Sequence, residues 1–214
     1  MSGEAARAYP RALDVGGRAV TLRHMGPADR AAVLAFARAL PAHDLLFLPL
    51  DITRPEAVDA WLGGIARGEV TTLVAEGAGA VLASATIDRG ELDWSSHVAD
   101  LRVIVAAEAR GKGLGRSLTQ EAFALALSLG IEKIVARMTV DQQGARAVFE
   151  GMGFRPEALL RDHVRDRDGK KHDLLILSHE VARFQAQMTA YGVSEALGGG
   201  EGGSAPDPRR APGS

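Results

Sequence analysis

A glycine-rich run, Arg-Gly-Lys-Gly-Leu-Gly, occupies residues 110–115, between an apolar stretch and a long amphipathic stretch. That order predicts a strand, a loop and the start of a helix. The first N–H groups of a helix have no partner within the helix, and the helix dipole places partial positive charge there, so an anion binds favourably. Gly111, Gly113 and Gly115 would let such a ligand approach the backbone without meeting a Cβ atom. The run therefore predicts an anion-binding loop.

Two common nucleotide-binding motifs do not fit this run. A Walker loop needs four residues between its first glycine and Gly-Lys-Ser/Thr, and the run is too short for that spacing. The dinucleotide fingerprint is G-x-G-x-x-G, whereas this chain has G-x-G-x-G followed by Arg116 and Ser117. A glycine-rich turn that only caps a helix is the alternative to an anion site.

The run does match the pattern Arg/Gln-x-x-Gly-x-Gly/Ala after a strand, through Arg110, Gly113 and Gly115. In this respect it resembles the pyrophosphate loop of the GNAT superfamily of N-acetyltransferases. The pattern is short, so on its own it does not separate this family from a helix-capping turn.

A second element makes the resemblance more specific. Residues 141–154 resemble the family's downstream pattern, Asn-x-x-Ala-x-x-x-Tyr-x-x-x-Gly-Phe, with Gly153 and Phe154 in register. Gln142 occupies the Asn position and Phe149 occupies the Tyr position. The two partial motifs lie at the family's separation, so together they indicate a bacterial-type GNAT member much more strongly than either one alone.

The resemblance implies a mixed α/β fold, with a central mixed sheet of about six to seven strands flanked by about four to five helices. Two adjacent parallel strands, Val98–Val105 and residues 133–138, would splay apart to form a cleft for acetyl-CoA. Backbone groups of the first strand would bind the pantetheine arm and the thioester as an added strand would. The cofactor-binding residues implied in this way are Val103, Ile104, Val105, Arg110, Gly111, Lys112, Gly113, Leu114, Gly115, Arg116, Gln142 and Phe149.

The family's chemistry is direct attack of an amine on the thioester, which needs a neutral amine, a donor for the oxyanion and a proton for the leaving thiolate. A strand N–H near Ile104 is the predicted oxyanion donor. Many relatives carry a tyrosine acid where this chain has Phe149, and some carry a glutamate base where it has Arg137. Asp100 is the predicted base, and a surface charge at a strand end is the alternative. Further candidates are Glu91, Asp93, His97, His163 and His172.

The elements that must position these residues follow from hydrophobic periodicity and from the placement of glycine and proline. Helices are predicted over residues 27–40, 55–65, 114–129 and 145–152. Strands are predicted over residues 19–24, 70–76, 80–88, 98–105 and 131–138, and a final hairpin over residues 159–164 and 172–178 turns at an Asp-Gly pair.

Composition limits the classes of protein to which the chain can belong. A chain of 214 residues with 46% apolar and 24% charged residues predicts a globular protein with one domain. A net charge of −2 gives no global attraction to nucleic acid or to an anionic membrane. No apolar run approaches the ~20 residues that span a bilayer, and no signal pattern precedes the domain, so a cytoplasmic protein is expected. The absence of cysteine excludes transfer through an acyl-cysteine.

The predicted organisation has four parts. Residues 1–17 form an N-terminal arm that ends in a candidate edge strand, and residues 18–179 form the acetyltransferase domain. Residues 180–192 form a C-terminal helix. Residues 193–214 consist mostly of Gly, Ser, Pro, Ala and charged residues and are expected to be a disordered tail.

Three functions are consistent with the sequence. The first is an acetyl-CoA-dependent N-acetyltransferase for a small-molecule amine or an amino-acid-like metabolite. The second is a protein N-terminal or lysine acetyltransferase, and the third is a catalytically weak acyl-CoA-binding module. The apolar residues 45–50 are open to three interpretations: a buried short helix, a wall of the acceptor site or a homodimer contact. No metal is expected, because no His, Asp and Glu set has metal-ligand spacing.

Overall fold

A mixed β-sheet with helices on both faces forms the molecule, for which the computed structural model describes residues 8–46, 48–90 and 92–181. The strands are β1 Arg11–Val15, β2 Arg18–His24, β3 Val70–Gly77, β4 Ala80–Asp88, β5 Val98–Val105, β6 Lys133–Thr139, β7 Arg155–Arg165 and β8 Lys171–Glu180. In these residues the α-helices are α1 Arg30–Ala39, α2 Pro55–Ala66, α3 Leu114–Ser128 and α4 Gln143–Gly151. The eight strands lie in the order β1-β2-β3-β4-β5-β6-β8-β7.

The helices begin and end close to the positions that the sequence predicts. α2 begins at Pro55, whose fixed φ suits the first turn of a helix. α3 follows Gly113 and ends just before Gly130, which has a φ of +76° that favours glycine. One face of α3 is buried in the core through Leu114, Leu118 and Ala122, as its apolar spacing predicts, and also through Ala126.

The sheet differs from the prediction at both ends of the chain. Over the described residues it has eight strands rather than six to seven, because β1 adds the edge strand expected at the end of the N-terminal arm. β8 runs through Glu180, which the sequence assigned to a helix, since its backbone pairs with Lys133 of β6. The rest of that predicted helix, from residue 182, and the predicted tail lie outside the described residues.

The parallel strands β5 and β6 separate as predicted. They pair at Val98↔Lys133, Ala99↔Ile134 and Asp100↔Val135, and no further. β5 nevertheless continues to Val105 beside β4, and β6 continues beside β8. A gap therefore opens between two strands that are each supported on their other edge.

The two faces of β5 are covered by different helices, because successive side chains of a strand point to opposite faces. A Cβ atom on Gly115 of α3 would lie 3.4 Å from Cγ2 of Val105. Arg102 and Ile104 point to the other face, where they line a cavity together with Trp61 of α2. β5 therefore directs side chains toward α3 on one face of the sheet and toward α2 on the other face.

A partly buried ion-pair network joins the start of α1 to the sheet. Asp29 is 6% exposed, and its carboxylate accepts hydrogen bonds from Arg23 Nη1 and Nη2 at 2.8 and 2.7 Å. The same carboxylate accepts the Gly26 N–H at 2.8 Å, while Arg23 Nε donates to Glu76 of β3 at 3.0 Å. These bonds link β2, β3 and α1 at one point.

The described segments contain no helix that is both long enough and apolar enough to span a membrane.

Candidate active site

A cavity of about 710 Å³ opens where β5 and β6 separate. This volume lies within the range of small-molecule and cofactor sites. Its walls come from the second half of β5, the loop before α3, the end of β6 and the start of α4. Ten of the twelve predicted cofactor-binding residues line it: Val103, Ile104, Val105, Arg110, Gly111, Gly113, Gly115, Arg116, Gln142 and Phe149.

The other two predicted residues do not line the cavity. Leu114 is 2% exposed, because its side chain belongs to the buried face of α3. Lys112 turns away and donates its Nζ hydrogen to the backbone oxygen of Glu108 at 3.2 Å. A direct role in cofactor binding is therefore not supported for these two side chains.

Two helix N-termini meet the cavity. α3 starts after Gly113, whose φ of +87° lies in the left-handed region, and a Cβ atom there would meet no atom within 4 Å. α4 starts after Gln142, and Gln143, Gly144 and Ala145 of its first turn also line the cavity. Both helix dipoles therefore direct partial positive charge and unpaired N–H groups toward the same space, which favours an anion.

The pairing of β5 with β4 decides which backbone groups face the gap. Ala106 N donates to Leu82 O at 2.8 Å, so the backbone groups of the even-numbered residues of β5 point toward β4. Ile104 therefore contributes its side chain to the cavity, and its N–H is directed away from the gap. The N–H groups of Val103 and Val105 face the gap instead, and these are the candidate oxyanion donors.

Arg110 occupies a different place from the one that the resemblance implies. Its Nε and Nη2 donate to the backbone oxygen of Val105 at 3.0 and 2.9 Å, and Nη2 also binds the carboxylate of Asp44. Asp44 lies in a 3-10 turn, Ala42–Leu45, between α1 and α2. The guanidinium thus holds the end of β5 to this turn rather than extending toward the helix starts.

His43 of the same turn lines the cavity, and the sequence did not single it out. Its Nε2 lies 2.9 Å from Asp141 Oδ2 and 3.3 Å from Thr139 Oγ1. Burial raises the pKa of Asp141, but the Thr139 hydrogen bond and the nearby histidine charges outweigh it and lower that pKa. His172 packs edge-on against His43 at 5.4 Å and lies 2.7 Å from Asp166, so it joins the final hairpin to this wall.

Asp100 lies at the point where β5 and β6 part. Its Oδ1 is 2.7 Å from Arg137 Nη1, so the predicted base is ion-paired with the residue at the family's glutamate position. Arg137 lines the cavity and Asp100 does not. A base role for Asp100 stays a prediction.

The remaining titratable candidates do not line this cavity. His97 precedes β5, and its backbone oxygen accepts the N–H groups of residues 132 and 133 at 2.9 and 3.1 Å. Asp93 and His163 are exposed, and Glu91 lies outside the described residues. Within the described ranges, no group of three or more His, Asp or Glu side chains is arranged to hold a metal ion.

Phe149 lines the cavity at the position where relatives carry tyrosine. It is 5% exposed and packs edge-on against Phe154, with 4.9 Å between the ring centroids. The described segments contain one tyrosine, Tyr9. Its hydroxyl donates to Glu121 at 3.1 Å, away from the cavity. The lining residues described here therefore include no tyrosine hydroxyl.

A second cavity of about 290 Å³ lies on the α2 face of β5. Leu48, Pro49 and Leu50 form one wall of it, and the role of this apolar segment as a wall of the acceptor site stays a prediction. Arg102 and Ile104 line both cavities, which therefore meet at β5.

The chain resembles known proteins along most of its described length. Residues 41–154 match the Acetyltransferase (GNAT) family. A Bacillus subtilis (strain 168) protein, a candidate phosphinothricin acetyltransferase, is 27% identical over 165 residues, which cover 76% of this chain and 100% of the relative. The fold is similar to that of a GNAT-family acetyltransferase from Streptococcus pneumoniae, with a TM-score of 0.67, 22% identity and coverage of 76% of this chain and 99% of that one. It is also similar to a candidate acetyltransferase from Salmonella typhimurium solved with its cofactor acetyl-CoA, with a TM-score of 0.64, 23% identity and coverage of 76% and 94%.

Proposed function

Because the chain belongs to the GNAT family of acetyltransferases, which transfer an acetyl group from acetyl-CoA to an amine, we propose that its acceptor is a small metabolite or an amino-acid-like molecule. The observation that carries the proposal is the second cavity, which meets the main one at Arg102 and Ile104. A space of about 290 Å³ suits a molecule of amino-acid size. A protein acceptor would instead need an extended groove.

Acetyl-CoA is proposed to bind in the main cavity. The starts of α3 and α4 would hold the pyrophosphate, because both offer unpaired N–H groups and positive dipole ends. The open space over Gly113 supports this assignment. The gap-facing N–H groups of Val103 and Val105 and the carbonyl of Val103 would bind the pantetheine arm and the thioester, because Arg110 already occupies the carbonyl of Val105.

The reaction assigned to this junction is direct attack of the neutral amine on the thioester carbon. The N–H groups of Val103 and Val105 point into the gap and would stabilise the oxyanion as it forms. The C–S bond then breaks and CoA leaves as a thiolate. Since Phe149 carries no hydroxyl, we assign protonation of this thiolate to water.

Calorimetry with acetyl-CoA tests the cofactor site without knowledge of the acceptor. CoA release, followed with a thiol-detecting reagent over a panel of free amines, free amino acids and peptides, then tests the acceptor class. Turnover with small amines and none with peptides supports the proposal. Turnover with peptides alone favours a protein acetyltransferase, tight binding without turnover favours a binding module, and no binding contradicts the cofactor site.

Phe149→Tyr is expected to raise kcat. A hydroxyl at this cavity position would supply the proton donor that the thiolate lacks, and general acid catalysis contributes ~100-fold or more where the donor is well placed, so a gain of at least ~10-fold is expected. Phe149→Leu is the control, because it changes the packing without adding a hydroxyl. An unchanged kcat in a folded Phe149→Tyr protein would show that protonation of the thiolate does not limit the rate.

A further inference from the structure

Among the described residues, Arg102 is the one charged residue that lines both cavities. Its side chain is 18% exposed, so the guanidinium is largely enclosed at the place where the two spaces meet. No local sequence pattern singles out Arg102, because it alternates with apolar residues along β5.

A carboxylate holds Arg102 in position. Arg102 Nη2 donates to Asp88 Oδ2 at 2.7 Å, and Asp88 Oδ1 in turn accepts the Gly90 N–H at 3.1 Å. In the described part of the chain, Nε and Nη1 of Arg102 have no hydrogen-bond partner. Arg102 therefore presents fixed donors to the junction, and a guanidinium matches a carboxylate better than an ammonium does because its N–H groups form a planar fork.

The other walls of the second cavity are made of apolar side chains and of charged side chains that bind each other. Leu48, Pro49 and Leu50 form one wall, and Trp61 lies on α2. Two further charged residues, Arg67 and Glu69, bind each other at 2.6 and 2.7 Å. Arg102 is thus a cation of this cavity with N–H groups that no described residue occupies.

We propose that Arg102 binds the carboxylate of a free α-amino acid and so makes an apolar amino acid the preferred acceptor, an inference that rests on the acetyl transfer proposed above. A carboxylate on Arg102 places the α-amine, carried by the adjacent carbon, at the junction beside the gap-facing N–H of Val103. The side chain of the amino acid then extends toward the apolar wall.

Acetyl transfer to the α-amine needs no reactant other than acetyl-CoA and the amino acid. The α-amine forms the N–C bond to the acetyl carbon, and the C–S bond of the thioester breaks. The amine loses a proton to solvent and the CoA thiolate takes one up. The product is an N-acetyl amino acid, and no oxidant or reductant is needed.

The test compares acceptors that differ only at the carboxylate. L-leucine, leucinamide and 3-methylbutylamine share the amine and the apolar side chain, and only leucine has a carboxylate. With leucinamide or 3-methylbutylamine, the Arg102 guanidinium lacks the carboxylate partner and its N–H groups stay unpaired in the site. We therefore expect kcat/KM to be about 100-fold higher for leucine than for the other two acceptors. Methionine and phenylalanine, compared with their amides, extend the series.

Arg102→Met is expected to remove this preference. The kcat/KM for leucine should fall about 100-fold, that for leucinamide should stay within a few-fold, and the KM for acetyl-CoA should not change. Arg30→Met is the matched control, because Arg30 also forms two short bonds to an aspartate, Asp59, but lines neither cavity. Asp88→Asn keeps Arg102 but loosens it, so it should raise the KM for leucine with a smaller change in kcat.

Several outcomes would overturn the inference. One is a wild-type enzyme that acetylates leucinamide as fast as leucine, and another is an Arg102→Met protein whose rate falls equally for both. Turnover of amines or peptides with none of the free amino acids would also overturn it, while the acetyltransferase function would stand. No turnover with any acceptor would remove both proposals. If Arg102→Met does not fold, the wild-type series and Asp88→Asn still decide the matter.

Discussion

Gly113→Val is expected to weaken the binding of acetyl-CoA about 100-fold in a protein that still folds. The residue precedes α3, and its open side faces the cavity, so a branched side chain would occupy the space over the first N–H groups of the helix. Losing two hydrogen bonds from these groups to an anion, at ~1.5 kcal/mol each, raises the Kd about 100-fold or more. Isothermal calorimetry with acetyl-CoA measures the change.

Gly130→Val provides the control at the other end of the same helix. Gly130 has a φ of +76°, close to the +87° of Gly113, and a Cβ atom at either position meets nothing within 4 Å. The two substitutions therefore carry a similar backbone strain of ~1–2 kcal/mol. Gly130 does not line either cavity, so its variant should keep the wild-type Kd. Equal Kd values in the two folded variants would remove the anion site from the start of α3.

Asp29→Ala is expected to cost about 3 kcal/mol of unfolding free energy, because it removes charge-assisted hydrogen bonds and leaves the Gly26 N–H without its acceptor, although Arg23 keeps its bonds to Glu76. The substitution removes both Arg23 bonds to Asp29 and the acceptor of the Gly26 N–H. For a domain of this size the melting temperature should fall by about 10 °C. Thermal and urea unfolding followed by circular dichroism measure both quantities.

Asp59→Ala is the matched control. Asp59 also binds an arginine through two short bonds, but both side chains are about half exposed, so water screens the pair. Its removal should change the melting temperature little. A loss as large as that of Asp29→Ala would mean that burial does not set the strength of these pairs.

The pH dependence of the Asp29 contribution follows from its pKa. Hydrogen bonds from Arg23 hold the pKa of Asp29 below its ordinary value, although burial acts in the opposite direction. A group whose folded-state pKa is lowered stabilises the fold above its ordinary pKa and loses that effect as the pH falls through the folded-state value. The stability difference between wild type and Asp29→Asn should therefore be full at neutral pH and shrink below pH ~4.

The sequence predicted the elements that depend on local patterns. The loop between β5 and α3 could be located because glycine and apolar spacing carry the signal within a few residues. β6 and α4 could likewise be placed from the local pattern of the second motif. The predicted gap between β5 and β6 came from the family resemblance, since no local pattern encodes where two parallel strands part.

The parts of the site that depend on distant contacts were not predicted. Asp44 binds Arg110 from 66 residues away, so nothing near the glycine run indicates that its arginine has a protein partner. His43 reaches Asp141 by the same kind of long-range contact. The orientation of the Ile104 N–H depends on its register with β4, which shifts the candidate donors to its two neighbours.

The two unlike edges of β5 have a consequence for amide hydrogen exchange. The amides of Arg102 and Ile104 bond to β4, so they exchange only when this part of the sheet opens. The amides of Val103 and Val105 face the gap and exchange with water from the native state. Four successive residues therefore report two different events, the opening of the sheet and the occupation of the cleft, on one strand.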